Sequence, residues 1–134
     1  MIVIDTNVLV ALVLPKDPLH ERATRDLERL VRQELVVLSV VLTEACFVLD
    51  APGQRARLRA LLVGLRARQE SEPAWEPVFE WMARYADHEP DWVDACLVVM
   101  SDRERRIWTY DEEFRAIWRR LDGSKVPLAI SKAR

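Results

Sequence analysis

Short apolar runs alternate with helical stripes along this chain. Residues 1–5 open with Met1-Ile2-Val3-Ile4 and close on Asp5, followed by Thr6 and Asn7. The apolar, β-branched run predicts a buried strand. Similar runs predict strands over residues 35–39 and 106–110. Residues 126–130 read as an edge strand, because Pro127 is poorly tolerated inside a sheet.

Between these runs the period changes from two to about 3.6. A short helix is expected over residues 8–14, capped by Thr6 or Asn7 and stopped by Pro15. Ala23, Leu27, Leu30 and Val31 mark a second over 19–32, started by Asp17-Pro18. Ser39 is the expected cap of a third over 40–49, and Pro52-Gly53 turns the chain into a basic amphipathic helix over 54–68. Residues 70–74 read as a polar loop with no strand. Pro77 suits the first turn of a helix carrying Val78, Trp81, Met82 and Tyr85 on one stripe. Asp91 is placed to cap a buried helix over 92–105, apolar all round from Ala95 to Met100. A last helix follows Asp111, with Phe114, Ile117, Trp118 and Leu121 inward and Gly123 at its C-cap. Strands alternating with helices predict a parallel sheet covered on both faces.

With 134 residues and no repeat or linker, the chain is expected to form one domain over 1–134. No apolar run approaches the roughly 20 residues of a membrane span. The strand begins at Met1 without a basic leader, which predicts a cytoplasmic protein with no membrane partner. Cys46 and Cys96 sit in apolar runs without ligand spacing and read as two buried thiols. A formal net charge of −2 is not that of a general nucleic-acid binder, but acids gathered at one site would lower it while arginines act elsewhere.

Four acids stand where strands end or the following helices begin: Asp5, Glu44, Asp94 and Asp111. In open α/β sheets ligands bind beyond the carboxyl ends of the strands. Each acid alone has a plainer use. Asp111 is a good N-cap, Asp94 can face the dipole of a helix capped by Asp91, and Glu44 can lie on a solvent stripe. Asp5 has few such uses, since a short strand ending in Asp-Thr-Asn gains nothing from it in packing. Together the four need a counter-charge, and a divalent cation supplies one. His20 and His88 lie in polar surroundings, so the donors are all oxygen, which favours Mg²⁺ or Mn²⁺ over Zn²⁺. Such ions suit phosphate-ester hydrolysis.

Ile4-Asp5-Thr6-Asn7-Val8-Leu9, the segment Leu38 to Glu44, Asp91-Trp92-Val93-Asp94-Ala95-Cys96-Leu97 and Ile107-Trp108-Thr109-Tyr110-Asp111-Glu112-Glu113-Phe114 together resemble the motifs of PIN-domain proteins, most of all the VapC-type toxins of toxin–antitoxin modules. The resemblance implies a three-layer α/β/α sandwich around a mostly parallel sheet. It implies a Mg²⁺- or Mn²⁺-dependent endoribonuclease with a catalytic quartet of Asp5, Glu44, Asp94 and Asp111. Asp5 and Asp94 would be the principal metal ligands, with Asn7 orienting Asp5 and Thr109 lining the site. It also implies an RNA substrate, a cognate antitoxin and a homodimer. The stretch Val98-Val99-Met100-Ser101 and Asp102 to Arg105 departs from the Ala-rich, Gly-containing sequence of many relatives without touching the quartet.

Two other readings stay open. A non-catalytic PIN-like module would bind RNA or protein but has no need of four converging acids. A haloacid-dehalogenase-type phosphatase wants a second Asp two residues after the first, where this chain has Asn7. For RNA, Arg55, Arg59 and Arg66 share one helical face near Arg57 and Arg68, and Arg103, Arg105, Arg106, Arg119 and Arg120 form later groups. Ordinary solvated helix faces with acidic partners are the plainer explanation of them. Trp108 and Trp118 are expected in the core, and Trp75, Trp81 and Trp92 in the core or at an interface.

Overall fold

The chain is described by a computed structural model covering residues 1–130. Residues 131–134 of the expected domain lie outside the described residues. Four parallel strands form the central sheet in the order β3-β2-β1-β4. They are β1 (Ile2–Ile4), β2 (Leu35–Leu38), β3 (Arg68–Glu70) and β4 (Arg106–Trp108). β1 is fully buried, and it pairs Val3 with Val36 on one side and with Ile107 on the other. A strand with neighbours on both edges and helices on both faces must be apolar throughout, which is why its sequence shows a run and no alternation.

The helices are α1 (Thr6–Val13), α2 (His20–Leu30), α3 (Ser39–Val48), α4 (Gln54–Gly64), α5 (Trp75–Arg84), α6 (Trp92–Met100) and α7 (Glu113–Ala116). Right-handed crossovers between parallel strands put α1 to α4 on one face and α5 and α6 on the other. The packing agrees, since α1 touches α2, α3 and α4 while α5 touches α6. The chain moves outward from β1 to β3 and then returns to place β4 beside β1. The reversal opens a crevice at the carboxyl ends of β1 and β4, the usual ligand position in such sheets.

Several expected elements are corrected. Residues 68–70 form β3, in register with β2 through Val36–Arg68 and Leu38–Glu70. Its side chains are largely exposed, so an edge strand of Arg, Gln and Glu carried no apolar signal. α1 begins two residues early, because Asp5 caps it by accepting the Thr6 N–H. α3 likewise starts at Ser39, which is its first residue and not its cap. α6 stops at Met100 instead of reaching 105: Asp102 Oδ1 accepts the Glu104 and Arg105 N–H groups at 2.8 Å each, holding a turn in place of helix. α7 is a single turn. Trp118 swings into the core against Trp81, and Gly123, at φ 84°, turns the chain back so that Arg120 N–H reaches Ser124 O. Phe114 and Trp118 are buried as expected, although the helix meant to carry them is not continuous.

The edge strand over 126–130 is reduced to one parallel bridge, Ile107 to Leu128. Extending it toward Val126 needs an N–H at residue 127, and proline has none.

Candidate active site

Asp5 follows β1 directly, and its N–H reaches Trp108 O at 2.9 Å across the β1–β4 pair. Pairing Ile4 with Trp108 therefore sets Thr109 beside Asp5. The Thr109 hydroxyl donates to Asp5 Oδ2 at 2.7 Å, and the Thr6 N–H donates to Oδ1 at 2.7 Å. Asn7 Nδ2 donates to Asp5 Oδ2 and Thr109 Oγ1, while its Oδ1 accepts the Tyr110 N–H at 3.2 Å. Thr109 Oγ1 also accepts the Asp111 N–H. The small polar residues after the two strands thus lock one carboxylate in place and fix the start of the Asp111 loop. Thr109 stands behind Asp5 and is not among the residues lining the cleft, where the sequence had placed it.

The cleft, about 360 Å³, is lined by Asp5, Asn7, Glu44, Asp94 and Asp111, and also by Asp17 and Asp91. Glu44 arrives on α3 and Asp94 in the first turn of α6. Sequence reasoning assigned Asp17 and Asp91 only to helix starts. Asp91 is such a cap, accepting the Asp94 N–H at 2.7 Å, yet it also faces the cleft. Nothing in the local sequence around Asp17 distinguishes this from a loop acid. Among the described residues neither Lys, Arg nor His lines the cleft.

These acids repel one another in a poorly hydrated place. Burial pushes the Asp5 carboxyl up to about 7, opposed by the Thr109 and Thr6 hydrogen bonds and reinforced by Glu44 and Asp111. Burial first, then Asp91, Asp5, Asp111 and Glu44, pushes Asp94 up to about 8. The acids are gathered without being drawn into a cage: among the described residues no three His, Cys, Asp or Glu side chains stand close enough to share one ion. What the cleft offers is an all-oxygen donor set, the kind that a small hard cation takes.

A second network was not anticipated. Asp26 on α2 is buried and accepts from the Tyr110 hydroxyl at 2.6 Å. That hydroxyl accepts in turn from Trp108 Nε1 at 3.1 Å, and Arg22 lies over the Tyr110 ring. Burial and the Asp26 hydrogen bond push the Tyr110 hydroxyl up, so it stays protonated and ties α2 to the end of β4. Asp26 looked like an ordinary charge on an amphipathic helix, because its partner is 84 residues away.

Many arginines are already engaged. Arg68 pairs with Glu34 at 2.7 Å, Arg105 with Asp102 and Arg115 with Glu112. Arg55 donates to Cys46 O, and Arg119 to Arg115 O and Trp118 O. Cys96 is buried and Cys46 half-buried. Among the described residues no helix is long and apolar enough to cross a membrane.

Comparison with known proteins places this geometry. The profile of the PIN domain family matches residues 2–119. Among solved structures the chain is similar to VapC20 of Mycobacterium tuberculosis, described as a sarcin-ricin loop cleaving toxin. The identity is 28%, the TM-score 0.57, and the match covers 72% of this chain and 77% of that one. No match was found among curated proteins.

Proposed function

This chain belongs to the PIN domain family, and from that membership we propose that it is a Mg²⁺- or Mn²⁺-dependent endoribonuclease, the toxin half of a toxin–antitoxin pair. The observation that carries the reading is one cleft at the sheet's reversal point, lined by Asp5, Glu44, Asp94 and Asp111 and, among the described residues, by no basic side chain. A scaffold gains nothing from one buried and three half-buried carboxylates that repel one another, whereas a cation site uses them. VapC20, the similar structure, is by its description a sarcin-ricin loop cleaving toxin, which supports a toxin nuclease here, with RNA as substrate and an antitoxin as partner being part of this proposal. The family match over most of the chain supports a single domain.

In this reading Asp5 and Asp94 would be the principal ligands of the cation, and Glu44 and Asp111 would complete the cluster, hold its waters or bind a second ion. The bound cation would activate water and neutralise charge on the phosphoryl oxygens. The chain's own residues set the geometry. Thr109, Thr6 and Asn7 fix the rotamer of Asp5, so the carboxylate needs little reorganisation when substrate arrives. Asp91 fixes the first turn of α6 and with it the position of Asp94.

The test is cleavage of a mixed RNA pool with Mg²⁺, Mn²⁺ or chelator, comparing wild type with Asp5→Asn and Asp94→Asn. Metal-dependent cleavage lost in both variants is the expected result. Cleavage surviving both would move the chemistry to another site. No cleavage by any form, together with no cation binding by the wild type, would leave a non-catalytic module. A gene for a small DNA-binding protein immediately upstream would support the toxin assignment, and an isolated gene would weaken it.

The homodimer is proposed on a separate observation. Phe47 is 82% exposed, Trp75 63% and Phe79 57%, a set of large apolar side chains that monomers rarely leave open together. Trp75 and Phe79 adjoin on α5, and Phe79 packs on Trp92. α5 carries Glu76 in its first turn and Arg84, which lies 3.5 Å from Glu80, in its last. Antiparallel pairing of two copies would set acid against base across a twofold axis.

A further inference from the structure

The acidic cleft, even when loaded with its cation, would take only the phosphate being cleaved, and its remaining carboxylates disfavour the flanking ones. The cations that bind an RNA backbone must stand next to the cleft and outside it. One neighbouring hollow has this character. It encloses about 560 Å³ and is lined by Leu14, Pro15, Lys16, Asp17, Gln54 and Arg57. Asp17 also lines the acidic cleft, so the two hollows share a wall.

Two features mark it as a place for an anion. Neither Lys16 nor Arg57 makes an ion pair among the described residues, in contrast to Arg68, Arg105, Arg115 and Arg120. Arg57 is not loose, however. Its Nη2 donates to Val13 O at 2.9 Å, which holds the guanidinium on α1 while leaving it further N–H donors. Independently, α4 enters the hollow at Gln54, has eleven residues, and begins with no side-chain cap and no acid in its first turn. The positive end of its dipole is uncompensated by the chain itself.

We propose that Lys16, Arg57 and the start of α4 form a subsite for a phosphate of single-stranded RNA flanking the bond cleaved at Asp5 and Asp94. The subsite rests on the ribonuclease reading for its substrate, but it is a statement about binding and can be measured without turnover. Lys16 and Arg57 position the backbone and take no part in the chemistry. Asp17, at the shared wall, belongs to the acidic side and sets where the strand must leave the phosphate shelf and approach the cleft.

The probe is a labelled single-stranded oligoribonucleotide of mixed sequence. Its equilibrium binding to the Asp94→Asn protein is followed in chelator over a range of salt. Lys16→Ala and Arg57→Ala should each weaken binding several-fold and lower the slope of log K against log salt by about 0.7. Arg25→Ala and Arg29→Ala on α2, both exposed and lining neither hollow, should leave the slope unchanged. Lys16 makes no hydrogen bond that folding needs, so its variant decides the matter if Arg57→Ala is unstable. In otherwise wild-type protein, Lys16→Ala should raise KM and leave kcat alone. An unchanged slope in both variants, or an equal loss in the α2 controls, overturns the subsite. If Asp94→Asn abolishes cleavage while the Lys16 slope is unchanged, the nuclease stands and the subsite falls. If wild type cleaves nothing but the slope falls as stated, the reverse holds. Binding of a protein partner that needs Lys16 and Arg57, with RNA binding unaffected, would also overturn it.

Discussion

Asp94 is the residue whose cost to the fold can be measured most directly. Its ordinary value is 3.8, and burial with four acidic neighbours raises it to about 8. Between about pH 4 and pH 8 the folded protein keeps a proton that the unfolded chain has released. This group's contribution is therefore complete below pH 4 and is lost as the pH rises through 8. Asp5 behaves in the same direction, with its upper limit near 7. In chelator at pH 8, Asp94→Asn should stabilise the protein. Water reaching a half-buried carboxylate screens the repulsion, so the gain is about 1–2 kcal/mol. Differential scanning calorimetry would show a melting temperature several degrees higher at pH 8 and no difference at pH 4. Equal melting temperatures at both would mean that Asp94 is not strained. Cation affinity should fall as the pH drops below about 7–8, because protons compete for the same oxygens. Thr109 offers a second test. Thr109→Val keeps the shape but removes the hydroxyl that Asp5, Asn7 and the Asp111 N–H share. Cation binding by titration calorimetry and RNA cleavage should each fall roughly 10–100-fold with the fold retained. Unchanged values would remove Thr109 from the positioning network.

Among the elements, α5 is joined to the segment after α7 by tryptophan. Trp81 on α5 is fully buried, packs edge-on against Trp118, and donates through Nε1 to Arg119 O at 2.6 Å. Trp81→Phe loses this bond and leaves a small cavity, so urea denaturation should show about 1–3 kcal/mol less stability. Buried stripes were the legible elements: the Val78–Trp81 stripe and the β1, β2 and β4 cores all followed from apolar spacing. What was not legible had its cause outside the segment. β3 exists because β2 offers it an edge, and its own residues carry no pattern. α6 ends early because Asp102 competes for the N–H groups that a longer helix would use.

The whole molecule brings its acids together through strand order. Placing β4 beside β1 puts Thr109 against Asp5 and opens the crevice into which α3 and α6 deliver Glu44 and Asp94. The opposite use of surface is seen at Phe47, Trp75 and Phe79. Phe79→Glu should convert a dimer to a monomer in sedimentation without unfolding it, since the side chain is more than half exposed. A wild-type protein that is monomeric at micromolar concentration would overturn the proposed pairing.

Sequence alone determined the class of fold and the identity of the candidate acids. A buried parallel strand must be a continuous apolar run, and an acid at its end has no packing role, so Asp5 and the alternation of elements were visible without coordinates. The same local physics fixed Asp91 as a helix cap. Tertiary structure decided which groups meet. The Asp26–Tyr110 bond spans 84 residues and Thr109–Asp5 spans 104, distances at which no periodicity or propensity acts. It also decided that Asp17 and Asp91 share the acidic cleft and that Lys16 and Arg57 share the hollow beside it. These neighbourhoods follow from strand order, which depends on how the whole chain buries its apolar surface and not on any single segment.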